Sequence, residues 1–489
     1  MEDEHKIPNP LVALLPIIAL TVLLFFSISL FGSDTLSGAS QICLLFATGL
    51  ATLIGMAFYK TRWKAIEDAI VKNIADVGSS LLILLLIGAL SGVWMLSGVV
   101  PTLIYYGMEI IHPKFFLLCA CVICSVVSIV TGSSWTTVAT IGIALLGIGK
   151  AQGFEDGWIA GAVISGAYFG DKISPLSETT VLASSTAGTP LMKHIRYMLL
   201  TTVPSLTIAL IVFTIAGLLH TTSEPASMAT FGEALQERFC ITPWLLVVPV
   251  VTGVMIAKQV PPLITLFVSA VLAEIFMIIF QPEVVQEVTG EGLTYANKCL
   301  KGGLIALYGS TALTTMNPEL SELVQTSGMS GMMGTVWLII CAMCLGGAMT
   351  ACNMLLSITK MFARLAKNLV SMVASTVGCG LFMNLALSDQ YMSILLTINM
   401  FKGTFLGKGY ENRLLSRTTE DAVTVTSVLI PWNTCGLTQA TVLGVPTLTY
   451  LPYCVFNYVS PLMSILVAAT GYKIYRKVKN EEWRVKSEK

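Results

Sequence analysis

Gly170-Asp171-Lys172-Ile173-Ser174-Pro175-Leu176-Ser177-Glu178-Thr179-Thr180 lies between two apolar flanks, residues 158–169 and 181–185. Two carboxylates, a lysine, four hydroxyls and a proline thus interrupt a segment that otherwise reads as a membrane span. A charged side chain near the bilayer centre costs at least ~2.5–3.5 kcal/mol, so these groups need a polar interior and partners. Proline removes a backbone donor and frees a carbonyl upstream. A helix broken there offers carbonyls, hydroxyls and carboxylates to a small cation. The stretch implies the centre of an ion-coupled carrier in an all-α polytopic membrane protein.

Composition agrees. Of 489 residues, 55% are hydrophobic and 11% charged, with a mean hydropathy of +0.79. A soluble domain carries ~25% charged residues, so most of this chain belongs in a membrane, as one transporter domain over 1–489. A formal net charge of zero leaves no basic surface for nucleic acid. Residues 11–31 are too long for the apolar core of a cleaved signal and read as a first span. Cys121/Cys124 and Cys341/Cys344 have C-x-x-C spacing but lie in apolar runs, where cysteine acts as a small hydrophobe. His5, His112, His194 and His220 are scattered, which argues against a metal cluster. There is no H-E-x-x-H, no Walker A, and no serine or cysteine with a nearby histidine inside a span. The chain therefore reads as a carrier and not an enzyme, with no cofactor.

Working outward, ten spans are expected at about 11–31, 41–59, 79–99, 155–185, 197–219, 241–257, 260–280, 333–357, 420–449 and 451–472. Two further apolar stretches, 114–150 and 369–400, have polar centres and read as re-entrant hairpins. If both hairpins return to their own side, 22 of the 28 Lys and Arg fall in the cytoplasm with both termini. Lys114, Lys150, Arg238, Lys298 and Lys301 fall outside, and Lys172 within the membrane. The expected location is the inner (plasma) membrane.

Two units, 41–219 and 260–472, show the same order of elements. In the first the basic connector 60–73 precedes the span 79–99; in the second the basic connector 360–367 follows the span 333–357. Opposite charge placement around equivalent elements implies opposite orientation, the pattern of an inverted repeat. A channel has no need for two inverted broken-helix units. Gly132 to Pro175 and Ser388 to Pro431 are both 43 positions apart.

Small hydroxyl and amide side chains at the tips satisfy nearby backbone and leave oxygens free. Expected tip and cavity residues are Thr131, Gly132, Ser133, Ser134, Trp135, Asn384, Ser388 and Trp432. The expected cation- and proton-binding residues are Asp171, Ser174, Ser177, Glu178, Thr179, Asp389, Asn433 and Thr434, with Na+ at Asp171, Glu178 and Asp389. Glu420 and Asp421 read as starting the second broken span, where acids commonly serve as dipole partners. Lys172 reads as a structural counter-charge.

These motifs resemble the NhaC-type sodium/proton antiporter family. The match lies in Thr131-Gly-Ser-Ser-Trp-Thr-Thr-Val-Ala-Thr-Ile-Gly142, in Ser165-Gly-Ala-Tyr-Phe-Gly-Asp-Lys-Ile-Ser-Pro-Leu-Ser-Glu-Thr-Thr180, in Ser388-Asp-Gln-Tyr391, and from Leu415-Ser-Arg-Thr-Thr-Glu-Asp421 to Pro431-Trp-Asn-Thr-Cys-Gly436. The family usually has aspartate where this chain has Glu178. The resemblance implies Na+ and H+ as coupling ions, elevator movement and a homodimer. Some relatives look like carriers of a small organic acid, such as malate against lactate, or of an amino acid. Exchange would follow if sodium and protons compete for the same carboxylates. That requires a carboxyl group titrating ~3 units above the ~3.9 of a free aspartate.

Overall fold

The computed structural model describes residues 7–31, 38–220, 225–258, 260–290, 292, 294–313, 315, 318–477 and 483–485. The first six and last four residues lie outside the described residues, as does Ser223 in the loop expected on the outer side. The described chain is helical throughout, apart from two isolated bridges and a short antiparallel ribbon pairing Tyr475–Lys477 with Trp483–Val485.

Among the described residues, nine helices are long and apolar enough to cross a membrane, and up to eleven if two bent pairs each count as one span. The bent pairs are Thr230–Arg238 with Pro243–Ala257 and Thr447–Tyr453 with Val455–Thr470, at 86° and 55°. Pro10–Phe31, Ala39–Tyr59, Gly78–Leu96, Leu191–Leu219 and Pro262–Phe280 match expected spans. Phe25, Phe46, Phe58 and Leu219 are exposed on their outer faces, as lipid-facing helices require.

Three boundaries differ from expectation. The helix from Met333 ends at Ala351, and Met354–Leu365 forms the amphipathic connector. Gly98, with φ +81°, turns the chain into a further helix, Val99–Ile110. The second broken span begins at Asn412 and not at 420. Asn412–Thr419 runs directly into a π-helical turn, Glu420–Thr424, so Glu420 and Asp421 lie inside a helix. The dipole-partner reading of these two acids is therefore corrected. The sequence misled because Arg413 and Arg417 look like loop residues until their burial is seen.

The two polar-centred stretches are helix–break–helix units that double back. In the first, Phe116–Thr131 and Ser134–Ala151 are separated by Gly132 and Ser133. The rings of Phe116 and Phe154, at its two ends, are 5.3 Å apart. In the second, Leu369–Leu387 and Gln390–Gly407 are separated by Ser388 and Asp389, and Lys408 Nζ donates to the Lys367 carbonyl at 2.7 Å. Each tip turns through a left-handed residue, Gly132 (φ +67°) and Ser388 (φ +58°).

The first hairpin is held tightly to the first broken helix, Asp156–Ile173. A Cβ at Gly170 would come within 2.4 Å of the Ser125 carbonyl oxygen, so glycine permits the approach. Ser128 Oγ donates to the Ala167 carbonyl at 2.5 Å across the same contact.

Candidate functional site

Four short breaks meet at the middle of the fold, and each half-helix that leaves one begins with a side-chain cap. Ser133 accepts from Thr136 N at 3.2 Å, Ser177 from Thr180 N at 3.4 Å, Asp389 from Met392 N at 2.9 Å and Asn433 from Cys435 N at 3.1 Å. Such caps satisfy donors that a buried helix start would otherwise leave unpaired.

At the first pair of breaks, Asp171 is the hub. Its Oδ2 accepts from Ser134 N at 3.2 Å and Ser134 Oγ at 2.7 Å, and its Oδ1 from Ser177 Oγ at 2.6 Å. The carboxylate thus joins the tip of the first hairpin to the restart of the first broken helix, Glu178–Ala187. Gly132 packs so closely on Leu176 that a Cβ would sit 2.7 Å from its side chain. Ser174 donates to the Ile129 carbonyl at 2.7 Å, a tie within the frame and away from the cavity.

The second pair repeats the design with different side chains. Asp389 Oδ2 accepts from Thr434 Oγ1 at 3.4 Å, while Thr434 N donates to the Ser388 carbonyl at 2.8 Å. Asn433 Nδ2 donates to the Asn384 carbonyl at 3.1 Å, and Trp432 Nε1 to the Leu385 carbonyl at 2.9 Å. The π-helical turn and the break after it free carbonyls at Val423, Thr424 and Val425. Side-chain amides of Asn384, Gln390 and Asn457 donate to them at 2.8, 2.8 and 2.6 Å. Backbone polar groups at membrane depth have to be satisfied within the protein, and these three amides do so.

A cavity of about 810 Å³ lies between the two hairpin tips. Thr131 to Thr136 line it from one side and Asp389, Gln390 and Tyr391 from the other, with Asp171, Glu178 and Thr179 between them. Glu178 is exposed to it and accepts from Tyr391 OH at 2.9 Å, a bond that joins the two halves. Of the expected site residues, Asp171, Glu178, Thr179, Asp389, Thr131, Gly132, Ser133, Ser134 and Trp135 line this one space. Ser174, Ser177, Asn384, Ser388, Trp432, Asn433 and Thr434 stand behind it as supports. Asp171, Glu178 and Asp389 share the cavity, but among the described residues no three acidic, histidine or cysteine side chains close into a single metal cage. Any cation bound there would be completed by hydroxyls and carbonyls.

Two sets of neighbours escaped the sequence reading: two further residues of the cavity wall, and the partners that surround Lys172 and Asp421. Lys72 and Asp76 line the cavity from the helix Trp63–Asp76. Their spacing of four, on one face of an amphipathic helix, is a signal that could have found them. The second group is a buried cluster behind the cavity. Lys172 pairs with Asp421, both fully buried, and donates to Ser460 Oγ at 2.8 Å. Thr201 donates to the same Asp421 oxygen at 2.9 Å, and Arg417 lies 3.7 Å from the other. The Arg417–Asp421 spacing is again four. Lys172 is thus a counter-charge within the frame, as its place in the sequence suggested.

Comparison with known proteins fits this geometry. The Na+/H+ antiporter family matches residues 7–197 and 166–472. The Na(+)/H(+) antiporter NhaC of Bacillus subtilis is 35% identical over 83% of this chain and 87% of its own. The malate-2H(+)/Na(+)-lactate antiporter of the same organism is 33% identical over 92% of both chains. The arginine/ornithine antiporter ArcD of Halobacterium salinarum is 31% identical over 90% of this chain and 88% of its own. The breaks, the paired hairpins and these matches agree: the chain belongs to the Na+/H+ antiporter family.

Proposed function

We propose that this protein is a secondary active antiporter of the inner (plasma) membrane that exchanges Na+ for H+. The observation that carries the reading is a single cavity into which two buried carboxylates, Asp171 and Asp389, face from two hairpin–break pairs. Sodium is a hard cation and takes oxygen ligands; Asp171 and Asp389 supply charge, and Thr131, Ser133 and Thr179 neutral oxygens. A proton and a cation exclude each other from such a negative centre, because each neutralises the charge that attracts the other. Exchange becomes obligatory if only a neutralised centre changes sides.

The inverted repeat 41–219 and 260–472 belongs to the same proposal. The four capped breaks support it: Ser133 and Ser177 are 44 positions apart, as are Asp389 and Asn433. Lys72 and Asp76 line the cavity from the basic connector, which the charge pattern assigns to the cytoplasm. The reading is therefore of an inward-facing cavity, with both termini cytoplasmic and 220–240 and 281–300 outside. A homodimer is the assembly the resemblance implies, and crosslinking in native membranes would test it.

The test of transport is purified protein in proteoliposomes carrying a pH-sensitive dye. An imposed sodium gradient should move protons in the opposite direction without any organic solute. A pH change seen only when an organic acid or amino acid is added would instead support a coupled carrier of such a solute. That second reading draws on the size of the cavity, since about 810 Å³ has room for a small organic solute as well as for water.

A further inference from the structure

The mechanism above uses the carboxylates that face the cavity and leaves one buried acid without a task. Glu420 is fully buried in the π-helical turn Glu420–Thr424, and the Thr424 hydroxyl one turn on is the sole donor near its carboxylate among the described residues, at no better than a weak hydrogen bond. Asp171, by contrast, accepts three hydrogen bonds, as a carboxylate does. Single π-helical turns inside helices are frequent at functional sites.

The surroundings of Glu420 connect it to the cavity. Asp171 and Lys172 are consecutive on one helix, so their side chains leave it ~100° apart. Asp171 reaches the tip of the first hairpin, while Lys172 reaches Asp421 in the π-helical turn. Glu420 lies within electrostatic reach of Lys172, Asp171 and Asp421, with the Thr424 hydroxyl one turn on. From the other packed elements, Arg417 and His194 face the same cluster, and His194 Nδ1 is bonded to Ser416 Oγ at 2.8 Å. Glu178 and Tyr391 are bonded to each other across the cavity, and Lys402 is bonded to the Thr186 carbonyl. Cys379, Tyr168, Tyr197 and Tyr458 on the packed helices are thiol or phenol groups and add no charge, Arg413 is paired with Glu411, Asp156 with Lys150, and Lys193 and Arg196 are exposed. Lys172 and Arg417 therefore stand against Asp171, Glu420 and Asp421. With all five ionised, one negative charge is left over. One sodium ion beside Asp171 cancels it, and so does one proton on Glu420.

We propose that Glu420 is a proton-carrying residue of the exchange, placed behind the cavity and coupled to the cation through Lys172. When sodium leaves Asp171, Lys172 is drawn toward the freed charge, and Glu420 takes up a proton from water on that side. When sodium binds, the Glu420 O–H bond breaks and the proton returns to water. The two ions then compete through shared charge and not through shared ligands. This inference rests on the antiport reading.

The test measures apparent sodium affinity against pH, by sodium-dependent thermal stabilisation of the purified full-length protein, beside sodium-driven proton movement in proteoliposomes. The wild type should lose affinity about tenfold per pH unit on the acid side of the proton-binding range. Glu420→Gln, neutral like the protonated acid, should bind sodium only at the weak affinity that the wild type shows at acid pH, with a flattened pH profile and proton movement lost; Glu420→Asp should restore both. Sodium-induced infrared difference spectra of the wild type should show loss of a protonated-carboxyl band that shifts in Glu420→Asp, a readout that stands even if Glu420→Gln fails to fold. A Gln variant with the wild-type pH profile and only a lower Tm would overturn the assignment and leave Glu420 as a counter-charge. So would an infrared band that does not respond to Glu420→Asp. A wild type that moves no protons would overturn the antiport reading and this one with it.

Discussion

Asp171→Asn separates the charge of the candidate site from its shape. In the native arrangement Oδ2 accepts from both donors of Ser134, and Oδ1 accepts from Ser177 Oγ. An asparagine can keep its oxygen toward Ser134 and turn its NH2 toward Ser177. Ser177 must then accept, and its own proton has Thr179 Oγ1 at 3.0 Å as a new acceptor. All three bonds are re-formed, so the cost to the fold is the difference between charged and neutral hydrogen bonds, about 1 kcal/mol. The cation, however, loses a full negative charge. Removing one partner of a buried charge pair costs about 2–5 kcal/mol, or roughly 30-fold to several-thousand-fold in affinity. Asp171→Ala is the contrasting variant: it leaves the buried Ser134 N–H without its acceptor, at about 1–3 kcal/mol, and should lower Tm as well. The assay is sodium-dependent thermal stabilisation of detergent-purified protein, with size-exclusion chromatography as the check on folding. A folded Asn variant whose sodium affinity stays within about threefold of wild type, under 1 kcal/mol, would refute the placement of the cation at Asp171.

Asp389→Asn should also abolish sodium-driven proton movement while leaving the protein folded, since its oxygen can still accept from Met392 N. If both aspartate variants retained full pH-dependent exchange, the polar clusters would serve an organic solute instead. Gly170→Ala should lower Tm by an amount equivalent to about 1–3 kcal/mol, because its Cβ would lie 2.4 Å from the Ser125 carbonyl; Gly49→Ala, with open space around it, is the control that should lose nothing. Lys172→Met should destabilise by up to about 3–5 kcal/mol, tempered by Arg417, which stays 3.7 Å from Asp421, and Asp421→Leu, which strips both Lys172 and Arg417 of their counter-charge, should cost more; a smaller Tm loss in Asp421→Leu than in Lys172→Met would count against that buried cluster. A cysteine introduced at Ser223 should react with a membrane-impermeant reagent from outside the cell, and labelling from the cytoplasmic side alone would reverse the proposed topology.

Much of this arrangement is legible in residue order. Polar centres inside apolar stretches locate all four breaks, because in a membrane a run of hydroxyls, amides and carboxylates has few other uses. Pro175 and Pro431 mark where backbone donors are missing, and Gly132 marks a turn that needs a left-handed residue. The supports were harder to separate from the lining. Ser177 and Thr179 are two apart in sequence, yet one backs Asp171 and the other lines the cavity. The reason is the N-cap geometry at Ser177, which turns its hydroxyl inward to the carboxylate while the helix that follows presents Thr179 to the open space. Glu420 and Asp421 were misjudged because a short-range reading takes Arg413 and Arg417 as a loop. Only their packing, with Arg417 stacked 4.4 Å from the Tyr197 ring centroid, turns that loop into a buried helix.

By itself, the sequence determined that this chain is a membrane protein with broken helices and polar-tipped helical hairpins, because hydropathy, proline and charge act over windows of a few turns. It also determined which carboxylates had to be exceptional, because an acid in an apolar run cannot face lipid. The tertiary structure alone decided which of these share a space. Asp171 and Asp389 are 218 positions apart, and Lys172 and Asp421 are separated by 249. No local pattern relates such residues; the close helix packing that glycines such as Gly170 allow brings them together. Whether an ionisable group faces the cavity or a buried partner is then set by which side of one helix it leaves, and that depends on every neighbour the helix packs against.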